Sequence, residues 1–319
     1  LNNMEHKTMT KKTLALISGG RSSEREVSLN GGNQVFEALN KDRYTIRRYD
    51  PAMDLGQLVQ DAPDIDVALI ILHGVYGEDG TIQGLLELLG IPYQGSGVLG
   101  SALAMNKLAS KKIYRESGLP VPPYKAASKG KAFDVENCVQ TLGLPLFVKP
   151  ASGGSSIGMS RVTKKEKLEA AIAKAFEYDD LVLVETFIDG REITGAVIGN
   201  DDPSALPLVE ITPSIPTSTF FDYEAKYTPG GAREICPAPL SKEHTEAMQA
   251  LAVEAHKALG LRGYSRTDMI LSGDAYYILE TNTIPGMTRT SLLPLAAGTA
   301  GIPFPDLLDR LIDLALEKK

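Results

Sequence analysis

Residues 266–288, RTDMILSGDAYYILETNTIPGMT, restrict the chain more than any other stretch. Two apolar and aromatic runs flank Ser272, Gly273 and Asp274, which is the turn chemistry of a hairpin. Side chains alternate along a strand, so Arg266, Asp268 and Ile270 share one face, and Ile278, Glu280 and Asn282 share one on the partner strand. Pairing about the turn sets Asp268 opposite Glu280. Asp268, Glu280 and Asn282 would then converge beside a guanidinium, the donor types that Mg²⁺ and a nucleotide phosphate require. A solvated polar face is the competing reading. The apolar residues between the polar ones, Met269, Ile270, Leu271, Ile278 and Leu279, predict a largely buried hairpin. Buried carboxylates need a partner or a metal. Spacing alone leaves both readings open.

The rest of the chain alternates strand and helix patterns. Residues 13–18 (TLALIS) form an apolar strand that runs into Gly19 and Gly20. A helix pattern follows, with Val27, Val35, Phe36 and Leu39 facing inward. Strands at 43–49 and 66–72 flank a short helix near 55–60, and the continuous run DVALIIL is that of a parallel strand covered on both faces. These elements predict a small doubly wound α/β domain ending near Gly95. Residues 101–118 read as one helix, stopped by Pro120, Pro122 and Pro123. Residues 144–188 read as an α+β unit with helices on one face, and a strand-rich segment follows up to a long helix at 242–259. Residues 211–231 carry Pro and Gly without periodicity, and a loop of that length in a compact enzyme is usually a functional lid.

Composition narrows the functions. A net charge of −7 gives no electrostatic reason to bind nucleic acid or an anionic membrane, so an anionic ligand needs a local positive cluster. Cys138 and Cys236 lack metal-ligand spacing and fit a reduced, cytoplasmic enzyme. No apolar run reaches the roughly 18 to 20 residues of a membrane span. The polar residues 1–12 read as a disordered leader or cloning remnant, with Met9 as a candidate natural start. The glycines do not spell G-x-G-x-x-G, which disfavours a dinucleotide-dependent oxidoreductase.

Lys149 ends an apolar strand and precedes GGSS, so a phosphate cradle and a hairpin loop with a surface lysine are both open. Lys107 reads as a solvated helix lysine, and Glu185 and Glu192 as surface carboxylates. Glu24 stands at the positive end of the first helix, suited to structural capping or to a substrate ammonium. His73 ends a buried strand at the carboxyl edge of the sheet, where open α/β sheets hold ligands. Tyr223, Lys226 and Tyr227 (DYEAKY) would let the lid exclude water or simply anchor it.

Taken together, GGRSSEREVSL, HGVYGEDG, GSGVLGSALAMNK, FVKPASGGSSIGMS, FFDYEAKY, YSRTDMI and ETNTIPGMTRTSLLP resemble the D-alanine–D-alanine ligases of the ATP-grasp superfamily, in order, over residues 19–294. The resemblance implies a three-domain α/β (α+β) protein. Its parts would be an N-terminal substrate-binding domain at 13–95, a central ATP-grasp domain at 96–183, and a C-terminal ATP-grasp domain at 184–319 carrying the lid at 211–231. It implies D-alanine and ATP as substrates, two Mg²⁺ ions replaceable by Mn²⁺, and a homodimer. Glu24 would bind the first D-alanine, with Ser155 and Tyr227 fastening the lid and His73 alongside. Lys107, Lys149 and Lys226 would hold phosphates, while Glu185, Ile188 and Glu192 would meet the adenosine. Asp268, Glu280 and Asn282 would ligate metal. Arg266 and the Gly286 N–H would form an oxyanion site, and Ser291 and Leu292 would position the second D-alanine. Asn106 and Thr186 depart from residues frequent in the family, Asp and Lys, which puts detail of the adenine pocket in question.

Overall fold

Continuous apolar strands need cover on both faces, and the first of the three sheets obtains it from both ends of the chain. In the computed structural model, which describes residues 11–153, 157–213 and 232–317, β1 (Lys12–Ile17), β2 (Tyr44–Tyr49) and β3 (Val67–Ile70) form a parallel sheet in the order β2-β1-β3. Helix α1 (Arg25–Ala38) follows the glycine turn, α2 (Leu55–Asp61) leads from β2 towards β3, and α3 (Thr81–Leu88) follows β3. Ala15, Ile17, Ala68 and Ile70 pack on one side with Leu58 of α2 and with Ile82 and Leu86 of α3. Leu14, Leu16, Val67 and Leu69 pack on the other with Val35 of α1.

The helix expected over 101–118 is two helices, α4 (Val98–Met105) and α5 (Lys107–Glu116). Asn106 separates them in an extended conformation, φ −92° and ψ 100°, and its side chain accepts a 3.0 Å hydrogen bond from the Ala109 N–H. It is the N-cap of α5, a position that Asn and Asp fill about equally well, so the departure noted at Asn106 costs no cap. The second sheet is antiparallel, with β4 (Tyr124–Ser128), β5 (Leu146–Pro150), β6 (Ser160–Val162) and β7 (Leu181–Thr186) in the order β4-β7-β5-β6. Helices α6 (Val135–Leu142) and α7 (Leu168–Ala175) cover it through Cys138, Leu142, Leu168 and Ile172. Strand β7 runs across the division expected between residues 183 and 184.

The third sheet contains β8 (Arg191–Ile198), β9 (Ser204–Ala205), β10 (Val209–Pro213), β11 (Ala232–Ile235), β12 (Tyr264–Ser272) and β13 (Ala275–Asn282), in the order β11-β10-β8-β12-β13 with β9 beside β8. Residues 211–213, expected in the lid, instead complete β10, because Ile211, Thr212 and Pro213 pair with β11. Residues 214–231 of that segment lie outside the described residues, as do residues 1–10 of the expected leader. Helix α8 (Lys242–Ala258) packs Met248, Leu251 and Ala252 against Ile193, Met269 and Ile278, and Tyr114 of α5 joins the same cluster. Helices α9 (Leu292–Thr299) and α10 (Phe304–Leu316) return to the first sheet, where Leu293, Leu307 and Leu311 share a core with Leu14 and Leu16. Among the described residues no helix is long and apolar enough to cross a membrane.

His256 of α8 is fully buried, and its Nδ1 lies 2.8 Å from the Ser265 hydroxyl. Burial pushes the imidazole down to about 4 from its usual 6.5. As pH falls the unfolded chain takes up this proton first, so the stability due to the neutral ring is complete above pH 6.5 and is lost between 6.5 and about 4. The thermal midpoint is expected to decline across that window, and His256→Gln should flatten that part of a Tm-against-pH curve.

Candidate active site

The opening hairpin pairs as its sequence predicts, with Arg266 opposite Asn282 and Asp268 opposite Glu280. Beyond that the register slips, so that Met269 faces Ile278 and Leu279 is left unopposed as a bulge. The extra residue breaks the alternation, and Ile278 does not share a face with Glu280. It turns instead into the core beneath α8. On the other face, Arg266 Nε donates to Asp268 Oδ1 at 2.9 Å and Nη2 donates to Oδ2 at 2.8 Å. The hydroxyl of Thr194, in the neighbouring strand β8, donates to the same Oδ1 at 2.6 Å. Burial opposes the charge on Arg266, but Asp268, Glu280 and Glu78 hold its basicity above the ordinary range. Asn282 Oδ1 accepts from the Ile284 N–H at 3.0 Å, turning the chain out of β13.

Helix α5 connects this hairpin to the central sheet. Lys107, its first residue, is buried rather than solvated, because the Asn106 cap points the helix start at the loop after β5. The Lys107 N–H donates to Ala151 O at 2.7 Å, its Nζ donates to Gly153 O at 2.6 Å, and the same Nζ lies 3.2 Å from Glu280 Oε2. One turn later Lys111 lies 3.2 Å from Glu185 Oε1, while Lys149 of β5 lies 3.0 Å from Glu185 Oε2. Glu185 is therefore an interior carboxylate between two lysines, not the surface group its sequence context suggests. Burial raises its proton affinity, but Lys111 and Lys149 outweigh that and hold it below the usual carboxylate range. Thr186, the other departure, donates its hydroxyl to Leu142 O at 3.0 Å.

Glu24 is the residue before α1, and a Cβ added at Gly74 would stand 2.9 Å from its Oε2. Gly74 has φ +69°, so a side chain there would be strained as well as crowded. The Ser22 hydroxyl donates to His73 O at 2.6 Å. Burial first, then Arg266, depress the basicity of the His73 ring against the opposing influence of Glu24 and the Ile284 backbone. Ser291 stands at the N-cap position of α9 without a side-chain cap bond, its Oγ accepting instead from the Thr288 N–H at 3.1 Å, while Leu292 begins the helix and packs on the N-terminal core. A Cβ at Gly286 would lie 2.9 Å from Ser291 Oγ. Ser155, Lys226 and Tyr227 lie outside the described residues.

A cavity of about 100 Å³ opens between the central sheet and the hairpin, lined by Lys149, Glu185, Ile188, Glu192, Ile270 and Leu279. A larger and mainly apolar one, about 310 Å³, lies in the first domain beside His73, Gly20, Leu55, Tyr76 and Ile82, away from the hairpin. Among the described residues no three His, Cys, Asp or Glu side chains gather as a metal cage. Mg²⁺ does not need one, since it takes one or two carboxylates and completes its shell with phosphates and water. Asp268 accepts three of the roughly four hydrogen bonds a carboxylate can accept, Glu280 faces it, and Asn282 adds a neutral oxygen. The donors fit.

Thr194 and Lys111 lie outside the motifs quoted above, and Glu78 lies within HGVYGEDG without being singled out there. Thr194 is a polar residue inside an apolar strand, and Lys111 repeats Lys107 at a spacing of four, which puts both on one helix face.

Two antiparallel sheets facing one another across buried lysines and oxygen donors define an ATP-grasp protein. The family model described as D-ala D-ala ligase C-terminus matches residues 113–313, and that described as D-ala D-ala ligase N-terminus matches residues 50–96. The D-alanine--D-alanine ligase of Syntrophobacter fumaroxidans is 60% identical over 96% of this chain and 98% of its own length. That of Desulfotalea psychrophila is 54% identical over 99% and 98%. A Bacillus anthracis D-alanine--D-alanine ligase complexed with ATP superposes with a TM-score of 0.84 at 37% identity, covering 96% of this chain and 97% of that one. The chain belongs to the D-alanine–D-alanine ligase family.

Glu78 accepts from the Gly74 N–H at 2.6 Å, and burial pushes its carboxyl up to about 8. The folded state thus favours the neutral acid, and the stability this gives, full below about 4.5, is lost as pH rises through 8. In ligand-free protein Glu78→Gln is expected to raise Tm at pH 8 by at least about 2 °C and to leave it unchanged near pH 4.

Proposed function

We propose that the protein joins two D-alanines into D-alanyl-D-alanine, converting ATP to ADP and phosphate, for peptidoglycan precursor synthesis. The observation that carries the reading is the pairing of Asp268 with Glu280, whose Oε2 lies 3.2 Å from Lys107 Nζ, which puts oxygen donors beside a phosphate-binding cation. Glu24 holds the ammonium of the first D-alanine beside His73, leaving the substrate carboxylate free to attack the γ-phosphorus. Lys107 and Lys149 orient the phosphates, joined by Lys226. Asp268, Glu280 and Asn282 would hold two Mg²⁺ or Mn²⁺, which supply charge neutralisation for phosphoryl transfer.

The product of that step is D-alanyl phosphate. The amine of the second D-alanine, positioned by Ser291 and Leu292, attacks its carbonyl. Arg266 and the Gly286 N–H take the negative charge of the tetrahedral oxygen, a role whose loss costs roughly 3 to 4 kcal/mol per donor. Collapse expels phosphate and leaves the peptide bond. Ile188 and Glu192 serve the adenosine end. Glu185 lines the same cavity, with its carboxylate held by Lys111 and Lys149. Closure of the segment containing Tyr227 over Glu24 and Ser155 keeps water from the acyl phosphate. The protein works in the cytoplasm as a homodimer with neither nucleic acid nor membrane as a partner. Its central domain extends to the end of β7.

Phosphate release from ATP that depends on D-alanine, with the dipeptide identified by mass, tests the reading; release without D-alanine dependence refutes it. Glu280→Gln is expected to lower that rate at least about 100-fold while the protein stays folded. Gly286→Ala, by displacing Ser291, should raise KM for the second D-alanine about tenfold while ATP binding persists, as read from initial rates at saturating ATP.

A further inference from the structure

Glu185 is matched by more positive charge than it needs. One lysine neutralises one carboxylate, yet two flank it, and both are buried. They are not equivalent. Lys149 lines the cavity, whereas Lys111 is fully buried behind Glu185 and lines neither cavity. Although 3.2 Å from Glu185 Oε1, the Lys111 ammonium is poorly aligned with it, and Nζ and Oε1 both lack a hydrogen-bond partner. A buried ammonium in that state is costly, and burial pushes it down to about 8. Removing it would leave the neutral pair Glu185–Lys149, so stability gives no reason to keep it.

Phosphate binding does give one. A phosphate that draws Lys149 towards the cavity takes a counter-ion from a buried carboxylate, and stripping a buried ion pair of one partner is heavily unfavourable. We infer that Lys111 is a positioning residue for ATP. It stays with Glu185 as the standing counter-charge, so that Lys149 is free to move to a phosphate. Lys111 itself touches no ligand and acts through Glu185. The inference rests on the ATP reading of the cavity.

The test is calorimetric titration of ATP and of adenosine into the wild-type protein, Lys111→Met, Lys111→Gln and the double variant Lys111→Met/Glu185→Gln. Both single variants should weaken ATP at least thirtyfold and leave adenosine within twofold, with Tm no lower than wild type. The double variant should recover most of the ATP affinity, because the neutral amide that replaces the carboxylate no longer retains Lys149. A purely structural role would weaken ATP and adenosine together and would not be rescued. Equal loss of both ligands, no loss of either, no rescue in the double variant, or unfolding of both single variants each overturns the inference. Failure of the wild-type protein itself to bind ATP would instead overturn the reading beneath it.

Discussion

A carboxylate removed from water must be matched by a cation or by hydrogen bonds, and two such carboxylates, Asp268 and Glu185, stand on the sheets that line the cleft. Asp268 is held by Arg266 and Thr194 within the third sheet. Glu185 is held by Lys149 from its own sheet and by Lys111 from α5. Helix α5 also sends Lys107 to Glu280 and the Tyr114 hydroxyl to Thr281, at 2.7 Å. One ten-residue helix thus touches both walls of the cleft through charge, and the Asn106 side chain caps its start.

The first domain is bound to the same arrangement by different means. Arg289 N–H donates to Gln34 Oε1 of α1, and Ile284 packs beneath the N-terminal sheet, so the segment carrying Gly286 and Ser291 is held against the domain that presents Glu24 and His73. The proposed acyl acceptor and acyl donor are brought together by this packing.

Much of this was legible in the sequence because it depends on local pattern. The turn at Gly273, the pairing of Asp268 with Glu280, the parallel strand DVALIIL and the helices on one face of the central sheet all follow from periodicity and turn chemistry. What stayed hidden depends on tertiary contact. No pattern marks the bulge at Leu279 that sends Ile278 into the core, since either face of that strand could be apolar. Lys107 looks solvated when 101–118 is read as one helix, and the break at Asn106 reverses that. Glu185 and Lys111 are far apart in sequence and ordinary when taken singly, and only their pairing across α5 and β7 gives them meaning.

The return of α10 to the first sheet bears on the order in which the molecule can be assembled. Leu14 and Leu16 are synthesised long before the Leu307 and Leu311 that share their core. During vectorial synthesis that side of the sheet stays only partly covered, by α1, until α9 and α10 have left the ribosome. Domains that fold as they emerge are shielded early. Here the shielding of β1 is deferred to α10, so a nascent chain arrested before α10 emerges would display an adhesive surface that the folded protein conceals.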